Sequence, residues 1–314
     1  MEKALRNRLT FGPLLLGALF LILYLDANLN GLTRDWLKQA SDGFNLDGIQ
    51  GIGLLLLLFF ISPLAIAELA VLFTAERVRP YRIISVIGSG ALTLHAFLTQ
   101  FRWFQTIAAS TLVFVIVFVM LMAALRRAWD RQTQDAIVRM AGTVLATMYI
   151  GGLEWFLMAL RVKHSRHANQ SQDFVGSTSL VLMILVVVKS TDIGAYFGGR
   201  ALGRHKLIPW LSPGKTWEGL ICGVIFAGCV GACFAPHLHN MTTVWWKGFI
   251  ISAVLGAIGQ AGDLLESMMK RDAEVKDSGR LVPGFGGMLD IIDSPLLAAP
   301  FAYLLFSFFT HSSL

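Results

Sequence analysis

Charge is scarce in this chain. Only 15% of its 314 residues are Asp, Glu, Lys or Arg, against 55% hydrophobic. A soluble domain carries about a quarter charged residues, so an ordinary soluble class is excluded before any motif is read. The apolar residues come in long blocks, the mean hydropathy is +0.63, and a block of about 20 such residues spans the hydrocarbon of a bilayer. Cysteine is nearly missing too. Cys222, Cys229 and Cys233 are the only three, and all fall in one apolar block at spacings that put them on one helix face. That suits packing better than metal or redox chemistry. The N-terminal apolar run Phe11–Leu25 is followed by no small-x-small cleavage site, so it is expected to stay as a first span. Internal repeats and low-complexity tracts are absent as well. The net charge of +6 would point to nucleic acid in a soluble protein. Here its placement matters more than its sum, and no nucleic-acid partner is expected.

Nine spans are expected, at about 11–28, 50–73, 83–101, 106–125, 137–160, 176–197, 217–236, 248–262 and 293–310. The fold class is therefore an all-α integral membrane protein, a polytopic helical bundle of about nine transmembrane helices with a polar active site on its cytoplasmic side. Of the 26 Lys and Arg residues, 17 fall in the segments that lie inside if the N-terminus is cytoplasmic. The outer loops hold seven: Arg34, Lys38, Arg102, Arg161, Lys163, Arg166 and Lys247. The bias orients the N-terminus inward and the C-terminus outward, although the 161–175 loop runs against the rule. Two regions follow, residues 1–175 with five spans and little chemistry, and 176–314 with four spans and nearly all the notable polar residues.

Three clusters carry that chemistry. The first is Lys189-Ser-Thr-Asp192-Ile-Gly-Ala-Tyr196-Phe-Gly-Gly-Arg200. Two ionisable residues at a span end are costly unless paired or facing water, and Lys189 and Asp192 can pair at i,i+3. The second is Ser212-Pro213-Gly214-Lys215-Thr216-Trp217-Glu218-Gly219. Ser212 is expected to cap the seventh span and Pro213 to sit in its first turn, so that Lys215 and backbone amides face a phosphate. It is not a Walker A loop, because the first glycine of G-x-x-x-x-G-K-[ST] is replaced by Pro209.

The third cluster is the densest. It runs from Gly262-Asp263-Leu-Leu-Glu266-Ser267 through Lys270-Arg271-Asp272 and Lys276-Asp277-Ser278-Gly279 to Pro283-Gly284-Phe285-Gly286-Gly287-Met-Leu-Asp290-Ile291-Ile-Asp293-Ser294. Asp263, Glu266, Ser267 and Lys270 share one helix face, and Asp290 and Asp293 share another. The glycine-rich stretch between them can offer its amides as an anion-binding concavity. Carboxylates on two helix ends beside such a nest, with lysines near, are what metal-assisted phosphoryl chemistry requires.

These blocks resemble the CDP-diacylglycerol synthases, also called phosphatidate cytidylyltransferases. The resemblance covers about residues 185–300 and includes the three clusters in the family's order. Two positions depart from the family pattern, Phe285 for its usual histidine and Ile291 for its usual arginine. Neither side chain can take over those residues' roles, so the nest has to act through its backbone.

The resemblance implies a CTP-dependent, metal-dependent nucleotidyltransferase of phospholipid biosynthesis. Its substrates would be CTP and phosphatidic acid, and its products CDP-diacylglycerol and pyrophosphate. It implies Mg2+ as cofactor, with a second cation left open, and a multi-pass protein of the cell (inner) membrane whose site faces the cytoplasm. Asp263 and Asp290 are then expected as metal ligands, with Glu266, Asp277 and Asp293 beside them. Lys215 and Lys270 are expected to act in catalysis. Asp192, Tyr196, Ser212, Thr216, Arg271, Lys276, Gly284, Gly286 and Gly287 are expected to shape the substrate site. The lipid bilayer is a partner through the acyl chains, and a homodimer stays open. Other readings also stay open: a polyprenol kinase, a cytidylyltransferase for a different lipid phosphate, an inactive paralogue, or a secondary transporter. The last would place polar residues in both halves.

Overall fold

A computed structural model describes residues 2–40, 48–163, 174–235, 245–279, 281–284 and 286–311. Phe285 and Arg280 lie outside the described residues. Eleven helices occur among them: α1 Glu2–Ala40, α2 Ile52–Ala75, α3 Arg82–Leu98, α4 Arg102–Gln105, α5 Ala108–Trp129, α6 Ala136–Thr147, α7 Leu153–Lys163, α8 Phe174–Leu202, α9 Trp217–Phe234, α10 Trp245–Asp272 and α11 Leu289–His311. A π-helical turn, Met148–Gly152, joins α6 to α7 into one apolar rod. Eight of these segments are long and apolar enough to cross a membrane, while α3, at the position of the third expected span, is a shorter apolar helix of 17 residues. At 1.5 Å per residue it is about 25 Å long, which is the low end of spanning length. The chain is a polytopic helical membrane protein.

The contacts divide the chain into two units, Met1–Arg166 with Asp272–Ile291, and His167–Arg271 with Ile292–Leu314.

In the first unit α3 packs against α2, α5, α6 and α7. It does so with small residues, burying Ser85, Gly88, Ser89, Thr93 and Ala96. Lipid tails are as apolar as leucine, so helices in a bilayer associate through close backbone approach, which small residues permit. A Cβ on Gly151 would run into the Ser89 backbone.

Residues 1–175 were expected to hold little chemistry; their part of this unit contains buried charge. Arg161 Nε donates to Asp26 Oδ2 at 2.9 Å with both side chains fully sealed, and Asp26 Oδ1 accepts the Gly53 amide. Glu154 accepts from the hydroxyls of Ser62 and Thr93. A charge in hydrocarbon is tolerated only with such partners. Arg161 is thus held inside the unit by Asp26, so one of the positives that ran against the orientation rule is not a loop charge.

In the second unit α8 and α9 pack closely, with Gly194, Gly198, Gly219 and Gly223 at the contact. Helix α10 meets α8 at Gly256 and Gly259, and α11 at Gly262. A two-stranded antiparallel hairpin, β1 Lys206–Ile208 and β2 Ser212–Thr216, precedes α9.

The hairpin corrects one expectation. Ser212 does not cap α9, and Pro213 is not in its first turn. Both lie on β2, and the cap is Thr216, whose hydroxyl accepts the Gly219 amide at 3.1 Å. The reason is local. Pro213-Gly214 is a poor helix start when the preceding strand offers a partner, and Thr216 supplies the capping oxygen one residue before the apolar run. Glu218 then accepts the Arg204 and His205 amides and ties the hairpin to the helix.

Candidate active site

In the second unit three carboxylates converge. Asp263 and Glu266 stand one turn apart on α10, which continues past the expected span end to Asp272. Asp293 comes from α11, which approaches closely because position 262 is glycine and a Cβ there would press on the Ser294 backbone. Carboxylate oxygens of Asp263, Glu266 and Asp293 all lie within 4.8 Å of one another. Glu266 and Asp293 are 1% and 3% exposed, so little water screens them.

Three anions this close repel one another unless cations are near. The chain supplies them. Lys215 Nζ, from the end of β2, lies 2.5 Å from Asp263 Oδ2. Lys270 Nζ, one turn beyond Glu266, donates to Glu266 Oε2 at 3.0 Å. Lys189 pairs with Asp192 at 3.6 Å, and Asp192 Oδ1 also accepts from Gln260 Nε2 at 2.6 Å. Ser294 Oγ donates to Asp293 Oδ1. An all-oxygen donor set of this kind fits Mg2+, which takes a few carboxylates and completes its octahedron with water and substrate phosphate.

The remaining expected residues of this unit sit around that core. Tyr196 is exposed near the end of α8 and accepts from Arg200 Nη1 at 3.3 Å. Arg271 is exposed at the end of α10, Ser212 is half-buried on β2, and Thr216 is buried by its capping role.

The signature turn belongs to the first unit. Val282 and Gly286 exchange backbone hydrogen bonds of 2.9 and 3.1 Å. The tight return between them needs left-handed backbone at Gly284 and Gly286, with φ of +89° and +101°, which glycine adopts without a Cβ clash. Asp290 Oδ2 accepts the Gly287 amide at 2.7 Å and the Ser278 amide at 3.2 Å. Lys276 and Asp277 are exposed.

Several amides that the sequence offers to a phosphate are thus donating to the protein's own acids. The second of these acids is Glu68 of α2. Its carboxylate accepts the Met288 and Leu289 amides at 2.9 and 2.8 Å and the Ser278 hydroxyl at 3.1 Å. Sequence reasoning missed Glu68. The available signal was its being the one charged residue in the otherwise apolar α2, since an intramembrane acid is a functional candidate by default.

The fold and this site define a class, a multi-pass membrane protein with a cluster of acids paired to lysines. The family follows from comparison. The model of the cytidylyltransferase family matches residues 48–309. A phosphatidate cytidylyltransferase of Bacillus subtilis is 32% identical over 249 residues, covering 76% of this chain and 85% of that protein. One of Haemophilus influenzae is 45% identical over 157 residues, 49% of this chain and 51% of that protein. An uncharacterized Escherichia coli protein, YnbB, is 36% identical over 159 residues, 51% of this chain and 49% of its own length. The match therefore spans about half the length of the latter two relatives and most of the first. This chain belongs to the cytidylyltransferase family.

Proposed function

We propose that the chain transfers CMP from CTP to phosphatidic acid, giving CDP-diacylglycerol and pyrophosphate. A phosphate oxygen of the lipid forms a bond to the α-phosphorus of CTP as the bond from that phosphorus to the β-phosphate bridging oxygen breaks. Pyrophosphate leaves with the electron pair. The nucleophile is already an anion, so alignment and charge neutralisation carry the catalysis. The observation that carries this reading is the group of Asp263, Glu266 and Asp293 within 4.8 Å, with Lys215 and Lys270 paired to two of them.

In this reading Asp263, Glu266 and Asp293 hold Mg2+, which when bound would offset phosphate charge. A carboxylate has about four acceptor positions, so bracing the turn is compatible with the ligand role expected of Asp290, with Asp277 beside it. Lys215 and Lys270 turn from their carboxylates to phosphates, while Arg271 and Lys276 meet phosphate at the surface. Asp192, Tyr196, Ser212 and Thr216 shape the pocket wall, and Gly284, Gly286 and Gly287 set the path of the signature turn. The site faces the cytoplasm of the cell membrane, where the acyl chains of the lipid stay in the bilayer.

The test is an assay of purified protein with CTP, phosphatidic acid and Mg2+, read by mass analysis of the lipid. CDP-diacylglycerol is expected. A phosphorylated polyprenol formed from a lipid alcohol, with no product from phosphatidic acid, would replace this reading by a kinase. For orientation, a cysteine introduced at position 206 should react with an impermeant reagent from the cytoplasmic side only; labelling from the outside refutes the assignment.

A further inference from the structure

The amides at the start of α11 have no partner within the helix, as at every helix N-terminus, and the helix dipole favours negative charge there. The Met288 and Leu289 amides find their acceptor outside the helix. It is Glu68, more than two hundred residues earlier in the chain, whose Oε1 takes the Met288 amide and whose Oε2 takes the Leu289 amide and the Ser278 hydroxyl. Glu68 is half-buried on an otherwise apolar helix, where a carboxylate is costly unless its acceptors are filled, and charge-assisted bonds of this type are the stronger ones. The glycines of the turn fit the same contact. A Cβ on Gly279 or on Gly287 would strike the Glu68 carboxylate. One acid of α2 thus holds both ends of the 278–289 turn, directly before Asp290.

We infer that Glu68 is a positioning residue for the transfer reaction, a latch that fixes the signature turn and the first residues of α11 in one register. The inference rests on the reaction proposed above, because the turn matters only if Asp290 and the neighbouring Lys276 act on the nucleotide. Glu68 touches no reacting atom. Its effect is to keep the turn closed, so it should change turnover more than the binding of CTP.

The experiment compares wild-type full-length protein with Glu68→Gln, Ser278→Ala and Glu154→Gln in detergent. Glutamine keeps the shape of Glu68 but removes the charge and presents an N–H group to a donor. Hydrogen–deuterium exchange of the peptide holding Met288 and Leu289 reports local opening, and steady-state kinetics give kcat and the KM for CTP. In Glu68→Gln exchange is expected to quicken by about tenfold or more. Its kcat should fall about 10- to 100-fold while the KM for CTP moves less than about threefold. Ser278→Ala, which removes one of the three bonds, should shift both in the same direction by less. Glu154→Gln, altering a buried acid of the same unit, should leave exchange at 288–289 as in wild type.

Unchanged exchange or unchanged turnover in folded Glu68→Gln overturns the latch, and so does equal opening in Glu154→Gln. If Glu68→Gln does not fold, Ser278→Ala decides by the same two readings. If wild-type protein makes no CDP-diacylglycerol, the reaction is wrong, and the exchange measurement still decides whether Glu68 holds the turn.

Discussion

In the unit formed by His167–Arg271 and Ile292–Leu314, Asp263 and Glu266 meet lysines, whereas in the unit formed by Met1–Arg166 and Asp272–Ile291 the acids Asp26, Glu68, Glu154 and Asp290 meet amides, hydroxyls or a sealed guanidinium. Asp263 and Glu266 each have an ammonium group at 2.5 and 3.0 Å. Glu68 and Asp290 take backbone amides, Glu154 takes two hydroxyls, and Asp26 takes Arg161. The difference is chemical. An amide at a fixed backbone position cannot leave, so an acid bound to it braces structure. A lysine on a flexible stem can exchange its carboxylate for a phosphate when a cation takes its place. The same residue types thus brace structure in one unit, where Asp290 also carries its proposed ligand role, and are free to exchange partners in the other.

The largest effect expected from breaking this contrast is on stability. Arg161→Ala leaves Asp26 buried without its charge partner and should destabilise the protein by about 3–5 kcal/mol. Thermal unfolding in detergent measures this, and the KM values of the folded fraction should stay at wild type. A small shift in Tm would mean that the pair is not the brace the structure suggests.

Next come the acids themselves. Asp263→Asn and Asp290→Asn should each lower turnover at least about 100-fold, equivalent to about 2.7 kcal/mol, and EDTA should abolish it. The two should part in hydrogen exchange. Asp290→Asn should speed exchange at Ser278 and Gly287, whose amides it holds, while Asp263→Asn should not. Near-normal turnover in either variant removes that residue from the chemistry.

The smallest effect sharpens the contrast within one unit. Lys215 lies on β2 of the hairpin, two residues before α9, so Lys215→Ala should raise the KM for CTP more than that for phosphatidic acid. Lys270, near the end of α10 and paired to Glu266, should do the reverse. Each loss should be about 1.5–3 kcal/mol, the range for a charge-assisted bond. Equal shifts for both substrates would end the division between the two lysines.

The spans were legible in the sequence because hydropathy alone decides them. The shared face of Asp263, Glu266 and Lys270 was legible because helix periodicity places side chains without reference to the rest of the fold. Two kinds of feature were not. The hairpin before α9 depends on pairing between residues ten apart, 206 with 216, and local capping rules misassigned Ser212. Glu68, Asp26 and Arg161 find partners 135 to 221 residues away, and no periodic signal encodes such a distance. The glycines of the signature turn read as an invitation to phosphate, when Gly279 and Gly287 also make room for Glu68.

The cation site proposed on Asp263, Glu266 and Asp293 is addressed directly by one measurement. Mn2+ standing in for Mg2+ can be titrated into purified protein and followed by electron paramagnetic resonance in wild type, Asp263→Asn and Glu68→Gln. The account predicts loss of binding in Asp263→Asn and at most a small loss in Glu68→Gln, whose latch acts only through Asp290. Binding that survives Asp263→Asn, or disappears in Glu68→Gln, would contradict it.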